Sequence, residues 1–407
     1  MALIKDRKHT FREVITDNSF IIFMILTFAS FAYSIPGIWR VLLWVFLVLS
    51  NLRFCKVRSL MDKLIIAYIA GAILSLSGML VRPYPEDFFL KVFVDSYIPI
   101  MFYFIGKNSK EPIQTNFYNR TLIAILFVYV LGFYFELTRP AWWVNKTLEI
   151  ASLHSSYTED TIMYARFSSF LDSYHVANFG VFALCFAFGL LKTNNKRIVS
   201  LLGYVALGII IIAILLSRQR VAMFTSGAIL LYYFLKSSKN KGTVLGIFGV
   251  IAILVLIIPV LFDDTILSQV LVRFSDDSRS SMVSIRTHQW VTAINGLMEP
   301  VFGNGIGSGG HIAIANGLKP AVADGSYFKV WLEGGIYSTC LFLTILAISL
   351  YRAFVHRESY FVEFPLLLFC MLSLIGANII DMPYIIAPMW YAIGRINKVE
   401  KIKNSFV

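Results

Sequence analysis

Apolar runs long enough to cross a lipid bilayer recur along almost the whole chain. A helix needs about 20 apolar residues to span the roughly 30 Å hydrocarbon layer of a membrane. Runs of this length recur between residues 20 and 397. The chain is 57% hydrophobic and only 15% charged, whereas soluble domains are about 25% charged. The sequence therefore predicts an all-α fold, a polytopic bundle of membrane helices.

The hydropathy pattern predicts about twelve transmembrane helices in a single membrane domain, residues 1–407. The remaining sequence includes two long connections, residues 139–173 and residues 263–327. Because long connections in compact proteins often bind ligands or catalyse reactions, we expect function there. The predicted spans are residues 20–36, 38–54, 62–81, 88–106, 119–138, 174–191, 197–216, 221–236, 243–262, 328–351, 360–379 and 380–397.

The distribution of basic residues predicts how these helices are oriented. If the N-terminus is cytoplasmic, 23 of the 36 Lys and Arg residues fall in cytoplasmic segments, in agreement with the positive-inside rule. Both termini are then cytoplasmic, and both long connections lie outside. This grouping accounts for the net charge of +12 without a nucleic-acid partner. The charged first residues predict a retained cytoplasmic segment and not a cleaved signal peptide.

Four arginines fall on the predicted outer face, where basic residues are normally depleted. They are Arg166, Arg218, Arg220 and Arg286. A guanidinium group binds phosphate oxygens through two parallel hydrogen bonds and stays charged in a partly desolvated pocket. The cluster predicts a diphosphate-binding site, although each arginine alone also fits a helix end that reaches lipid headgroups. Because Arg218 and Arg220 are two residues apart, they would face different sides of a helix.

The glycine-rich run GNGIGSGG covers residues 303–310 and contains Gly303, Gly305 and Gly307. A dinucleotide fingerprint would follow a buried strand, and nucleotides are not supplied outside the membrane, so we reject that interpretation. Two interpretations stay open. The run is a flexible loop, or it lets the backbone approach a large ligand and offer amide groups to an anion.

Candidate proton acceptors lie on the same predicted outer face. Attack by a sugar hydroxyl requires a group that accepts its proton, and Asp324, His288, His311 and, more distantly, His175 are the candidates. We favour Asp324, which precedes a membrane helix; the alternative is that it caps this helix. Glu333 lies deeper in the same helix and should face the bundle and find a partner. The four cysteines lack metal-ligand spacing, so no metal is predicted.

In this order and spacing, the motifs resemble the O-antigen ligase and polymerase superfamily, and within it the Wzy-type polymerases. The resemblance covers most of the chain, by motif from about residue 160 to residue 340 and by topology elsewhere. The motifs are Arg166 with Phe170, Ser217 with Arg218, Arg286 with Trp290, Gly303 to Gly307, and Asp324-Gly-Ser-Tyr327 followed by Glu333-Gly-Gly.

The resemblance implies a glycosyltransferase of lipopolysaccharide biosynthesis in the bacterial inner membrane. It implies transfer of a glycan from undecaprenyl diphosphate on the periplasmic face, without metal or cofactor, with a flippase and a chain-length regulator as partners. The arginines would neutralise the departing diphosphate. Ligases usually have a histidine followed by an asparagine where this chain has Asp324 and Gly325, and this departure favours a polymerase.

Several alternatives remain beside the O-antigen polymerase. Within the superfamily they are an O-antigen ligase and a polymerase of capsule or of enterobacterial common antigen. From another class, a secondary transporter or flippase would show repeat symmetry and charges near the membrane midplane. Asp95 is a candidate for such a charge, but Lys91 is four residues away, so an ion pair along one helix is the simpler interpretation.

Overall fold

The structure is a computed structural model that describes residues 37–81, 83–108, 113–145, 173–193, 197–217, 219–236, 277–322 and 324–398. Every regular element in these ranges is helical. The main helices are α1 Gly37–Asn51, α2 Leu60–Leu74, α3 Glu86–Ser96, α4 Met101–Asn108, α5 Ile113–Thr138, α6 Ser173–Thr193, α7 Arg197–Ser217, α8 Arg220–Lys236, α9 Asp277–Asn295, α10 His311–Ala315, α11 Ser326–Val355, α12 Glu363–Gly376 and α13 Pro383–Ile396.

Six helical stretches within the described ranges are long and apolar enough to cross a membrane. The all-α membrane class is therefore confirmed, while the number twelve stays a prediction. The predicted spans 20–36 and 243–262 lie outside the described residues, and four further predicted spans correspond to shorter apolar helices, Val45–Phe54, Val221–Tyr233, Glu363–Gly376 and Ile385–Ile396. The six stretches are Leu60–Val81, Glu86–Asn108, Phe117–Thr138, Val176–Thr193, Arg197–Ser217 and Ser326–Val355.

Helix α6 lies in the interior of the bundle, and α7 lies on its surface. Residues 176–188 of α6 are all buried. Helix α7 leaves Ile198, Leu201 and Leu202 between 60% and 74% exposed. Exposed apolar surface on this scale is unfavourable in water but is solvated by lipid acyl chains. A buried α6 and a lipid-exposed α7 are therefore consistent with a helix bundle in a bilayer.

Two glycines let α4 and α13 pack with their backbones almost in contact. A Cβ added to Gly106 would meet the carbonyl oxygen of Tyr391, and one added to Gly394 would meet the carbonyl oxygen of Tyr103. Small residues at helix crossings allow this approach in membranes, where van der Waals contact replaces the hydrophobic effect between helices. Close packing of α4 with α13 brings the buried side chains of Phe102 and Trp390 into one core.

One end of the bundle, which we call the basic end, holds most of the lysines and arginines that the structure describes. Contacts between α4 and the α1–α2 connection, between α6 and the α11–α12 connection, and between α12 and α13 join its parts. Basic side chains there outnumber the acidic ones, Asp62, Glu358 and Glu363. The basic ones are Arg53, Lys56, Arg58, Lys63, Lys107, Arg120, Lys192, Arg197, Lys236, Arg352, Arg357, Arg395 and Lys398.

We expect Gly394→Ala to destabilise the protein strongly, because the new methyl group would overlap backbone atoms of α4 that cannot move aside. Overpacking of a core costs about 1–3 kcal/mol or more. Gly208→Ala in α7 is the matched control, since its added Cβ has no neighbour within 4 Å. The midpoint of thermal unfolding in detergent measures both. Equal midpoints for the two variants would contradict the packing described here.

Candidate functional site

An ion pair between α9 and the start of α11 forms the exposed part of the candidate site. The guanidinium Nε of Arg286 lies 3.0 Å from the carboxylate of Asp324, and each side chain is 37% exposed. Trp290, one helical turn after Arg286, donates from its indole Nε1 to the backbone carbonyl of Asp324 at 2.9 Å. The ring of Trp290 also stacks on Phe328 with centroids 4.9 Å apart. Arg286 and Trp290 are four residues apart and lie on one face of α9. Trp290 therefore fixes the backbone of Asp324, and Arg286 pairs with its side chain.

Asp324 does not cap helix α11, so the capping interpretation is wrong. The N-cap residue is Gly325, at φ +106°, and it makes no side-chain cap. This left-handed conformation favours glycine and turns the chain between Asp324 and the helix. The carboxylate of Asp324 consequently faces Arg286 on α9 and not the amides of its own helix.

Helix α11 is broken at Gly335, inside the stretch that is long and apolar enough to cross a membrane. This residue has φ +61° and ψ −164°, a conformation that L-amino acids with a Cβ rarely adopt. The break removes helical partners from two carbonyl groups before it and from two amide groups after it. Within a membrane each such group needs a replacement partner, because lipid offers none.

The segment around the glycine run supplies the replacement partners. Two of its amides donate to the carbonyls before the break, and two of its carbonyls accept from the amides after the break. All four distances fall between 2.9 and 3.1 Å. The glycine run and the Glu333-Gly-Gly motif are therefore two halves of one structure. The pairs are Asn304 N with Leu332 O, Gly305 N with Glu333 O, Ile336 N with Pro300 O, and Tyr337 N with Val301 O.

The glycine run is a buried, internally bonded loop, so the flexible-loop interpretation is wrong. Residues 303–310 are all buried, and Gly303, Gly305 and Gly307 have positive φ angles. Their backbones approach other elements closely; a Cβ on Gly307 would lie 2.8 Å from the backbone of Phe88. The amides of residues 303–309 all donate to protein acceptors. The prediction that these amides bind a ligand anion is wrong, because they already donate to acceptors within the protein.

The anion that the loop binds is the side chain of Glu333. One of its carboxylate oxygens accepts from the amides of Gly307 at 3.1 Å and Gly309 at 3.0 Å. The other oxygen lies 3.2 Å from the ammonium of Lys329, one turn earlier in α11. Glu333 is 4% exposed and Lys329 is 1% exposed. The loop geometry therefore depends on a buried charge.

Lys329 also pairs with Asp381, which joins the C-terminal helices to the same cluster. The carboxylate of Asp381 accepts further hydrogen bonds from Ser96 at 3.0 Å and Asn378 at 3.3 Å. Sequence reasoning found Glu333 and missed its two charged partners. The spacing of Lys329 four residues before Glu333 was a usable signal for one of them. Asp381 lies in a separate 3-10 turn, Ile379–Asp381, and no local pattern connects it to the loop.

The other predicted site residues are not assembled around this pair in the described part of the chain. His288 is exposed on α9, two residues from Arg286, and so points away from the face that holds Asp324. His311 is exposed at the start of α10. Arg166 and Arg218 lie outside the described residues, and for Arg220 only the backbone, at the start of α8, is described. Among described residues no group of three potential ligands could hold a metal ion.

No protein-family model matches this chain, and no curated protein matches it. The chemistry of the candidate site therefore rests on its own residues and on the resemblance of its motifs.

We expect Lys329→Met to be far more damaging than Asp381→Asn. The methionine leaves the buried carboxylate of Glu333 and the partly buried one of Asp381 without a cation, whereas the asparagine leaves one lysine paired with one carboxylate. Removing one member of a buried ion pair costs about 3–5 kcal/mol. The yield of monodisperse protein and the midpoint of thermal unfolding in detergent measure both.

Lys319→Met, at an exposed lysine near the same loop, is the control and should unfold like the wild type. If Asp381→Asn lowered the unfolding midpoint as much as Lys329→Met, the charge balance assigned to this cluster would be wrong.

Proposed function

We propose that this chain is a Wzy-type O-antigen polymerase that joins oligosaccharide repeat units carried on undecaprenyl diphosphate. In this proposal it spans the bacterial inner membrane about twelve times with both termini cytoplasmic. Residues 139–173 and 263–327 are periplasmic, and the site that contains Arg286 and Asp324 works on that face. An O-antigen ligase or a capsule polymerase would use the same chemistry with another acceptor.

The observation that carries the proposal is the half-exposed ion pair of Arg286 and Asp324 on a rigid support. Exposed ion pairs contribute only about 0–1 kcal/mol to stability. The surroundings of this pair are nonetheless fixed by the Trp290 hydrogen bond and the Trp290–Phe328 stack. Rigid positioning of accessible charged groups is a property of binding and catalytic sites.

The proposed reaction needs one group that binds diphosphate and one that accepts a proton. A hydroxyl oxygen of the acceptor sugar forms a bond to the anomeric carbon of the donor. The bond between that carbon and the diphosphate oxygen breaks, and undecaprenyl diphosphate leaves with the electron pair. The hydroxyl proton passes to the carboxylate of Asp324. Diphosphate is already a good leaving group, so the step consumes no nucleotide.

The ion pair itself suggests how donor binding prepares the base. In the free protein the guanidinium of Arg286 binds the carboxylate of Asp324. A donor diphosphate offers oxygens of higher charge to the same guanidinium, and arginine binds such oxygens in a two-pronged geometry. Asp324 is then released to accept the proton of the second substrate. Arg166, Arg218 and Arg220 remain candidates for further diphosphate contacts, and His288 and His311 for the base.

The charge distribution of the bundle supports the proposed orientation. The basic end holds most of the described lysines and arginines, and basic residues concentrate on the cytoplasmic side of membrane proteins. The connection that contains Arg286, the glycine loop and Asp324 lies at the other end of α11 from Arg352. This orientation puts the candidate site in the periplasm, where lipid-linked repeat units are polymerised.

Labelling with a membrane-impermeant thiol reagent tests the orientation. We expect the reagent, added to cells with a permeabilised outer membrane, to modify a cysteine introduced by Ser278→Cys at the start of α9. The native Cys55 is exposed in the α1–α2 connection at the basic end and serves as the internal control. It should react only after the inner membrane is opened. The reverse pattern of labelling would refute the orientation.

Variants of the ion pair test the chemistry. We expect Arg286→Ala and Asp324→Asn to abolish polymer or to reduce it at least about a hundredfold, as loss of a general base or an electrostatic stabiliser does. Arg286→Lys should restore little activity, because lysine offers a point charge and not a planar fork. Purified protein incubated with synthetic undecaprenyl-diphosphate repeat units, without nucleotide, provides the readout as a ladder of products.

Two exposed residues provide matched controls for charge. Lys319→Ala removes a cation and Asp87→Asn removes a carboxylate, and neither side chain takes part in the candidate site. Both variants should give normal ladders. If the purified wild type makes no ladder, or if both ion-pair variants make normal ones, the proposed function of this site fails.

A further inference from the structure

A cavity of about 310 Å³ opens at the basic end of the bundle, at the opposite end of α11 from the candidate site. Its walls come from the start of α5, the end of α6, the α11–α12 connection, the start of α12 and the end of α13. Residues that matter for its chemistry are Tyr118, Lys192, Phe361, Glu363 and Arg395. A space of this size, lined by polar side chains, suits the small polar headgroup of a lipid.

The inner wall of the cavity has its charges already matched. Arg395 donates from Nε to the buried carboxylate of Glu363 at 2.5 Å. Tyr118 donates from its hydroxyl to the same oxygen at 2.8 Å, and the guanidinium lies 5.7 Å from the centre of the Tyr118 ring. This wall is polar, rigid and electrically balanced, so it adds no strong preference for a charged ligand.

The mouth of the cavity carries an excess of positive charge. The ammonium of Lys192 lies 4.1 Å from the centre of the Phe361 ring and donates to the carbonyl of Glu358 at 3.2 Å. The carboxylate of Glu358 lies 3.1 Å from Lys236, whose ammonium is 5.3 Å from the same ring. Within the described residues, no carboxylate lies within ion-pair distance of Lys192. One positive charge at the mouth is therefore unbalanced.

A lipid-facing surface begins beside this mouth. Helix α7 follows α6 after a short connection, and its first two turns expose Ile198, Leu201 and Leu202. A molecule bound at the mouth could thus place an anionic group at Lys192 and acyl chains along α7. Lysines near a membrane surface attract anionic lipids by about 1 kcal/mol each, and basic pockets between helices bind their headgroups.

We propose that this cavity binds the phosphate headgroup of an anionic phospholipid from the leaflet at the basic end, with Lys192 as the ion partner of the phosphate. The aromatic ring of Phe361 holds the Lys192 ammonium over the mouth. The polar wall formed by Tyr118, Glu363 and Arg395 faces the glycerol part of the headgroup. The proposal does not depend on the reaction proposed for the other end of the bundle.

Native mass spectrometry of the purified, detergent-solubilised protein tests the proposal. The probes are phosphatidylglycerol and cardiolipin, with phosphatidylcholine of the same acyl chains as the zwitterionic comparison and inorganic phosphate as the soluble anion. We expect the two anionic lipids to bind and to raise the midpoint of thermal unfolding. Phosphatidylcholine and inorganic phosphate at equal concentration should do neither.

Variants at the mouth locate the site. Lys192→Gln should weaken binding of phosphatidylglycerol about fivefold, as expected for the loss of one lysine. Lys192→Arg should retain it. Lys56→Gln removes an exposed cation of the basic end outside the cavity and should have no effect. Equal affinity in Lys192→Gln and the wild type would overturn the proposal, and so would an equal response to inorganic phosphate, which would identify a site for soluble anions.

Discussion

Backbone polar groups inside a bilayer have no water to bind, and the break in helix α11 exists only because another part of the chain satisfies the groups that the break frees. An unsatisfied backbone group in hydrocarbon costs several kcal/mol. At Gly335 four such groups are freed, and the segment from Pro300 to Gly305 binds all four. The glycine run and the broken helix are therefore stable only together.

The cluster of Lys329, Glu333 and Asp381 connects the glycine loop to the rest of the bundle. Glu333 holds two loop amides, Lys329 holds Glu333, and Asp381 ties Lys329 to the segment before α13. Ser96 connects this cluster to α3. Elements that are far apart in sequence thus converge on one buried lysine. The pair of Arg286 and Asp324 is partly exposed and is held by Trp290 and Phe328, so the residues that support the fold differ from those for which we propose a reaction.

Hydropathy predicted the continuous helices well, because a span of lipid-facing residues leaves a local signature. The predicted span 62–81 corresponds to Leu60–Val81, and the predicted span 197–216 corresponds to Arg197–Ser217. The predicted span 88–106 corresponds to Glu86–Asn108, but α3 and α4 meet there at a short 3-10 turn, Ile98–Ile100, that contains Pro99. Proline lacks an amide hydrogen and interrupts the helical bonding pattern. Averaged hydropathy does not register such interruptions.

The candidate site was less predictable, since its contacts join distant parts of the sequence. Arg286 and Asp324 were both singled out by their charge on the predicted outer face, but only the structure pairs them. The glycine run was recognised by composition. Composition indicates that the backbone can adopt positive φ angles, but it does not identify the segment that the backbone packs against. Lys329 could have been found from its spacing of four residues to Glu333, whereas Asp381 lies 52 residues from Lys329 and no local pattern identifies it as a partner.

The glycine loop precedes its hydrogen-bond partners in the chain, and this sets the order in which the loop and helix α11 fold during synthesis. The loop is made before helix α11, and its acceptors at residues 332 and 333 leave the ribosome later. Until α11 enters the membrane, residues 303–309 have only their early contacts, such as the Ser75 hydroxyl and the phenol of Tyr84 on the Ile306 backbone. The hydrogen bonds of the loop to Leu332 and Glu333 therefore form only after α11 is in place, so closure of the loop is a late step of assembly.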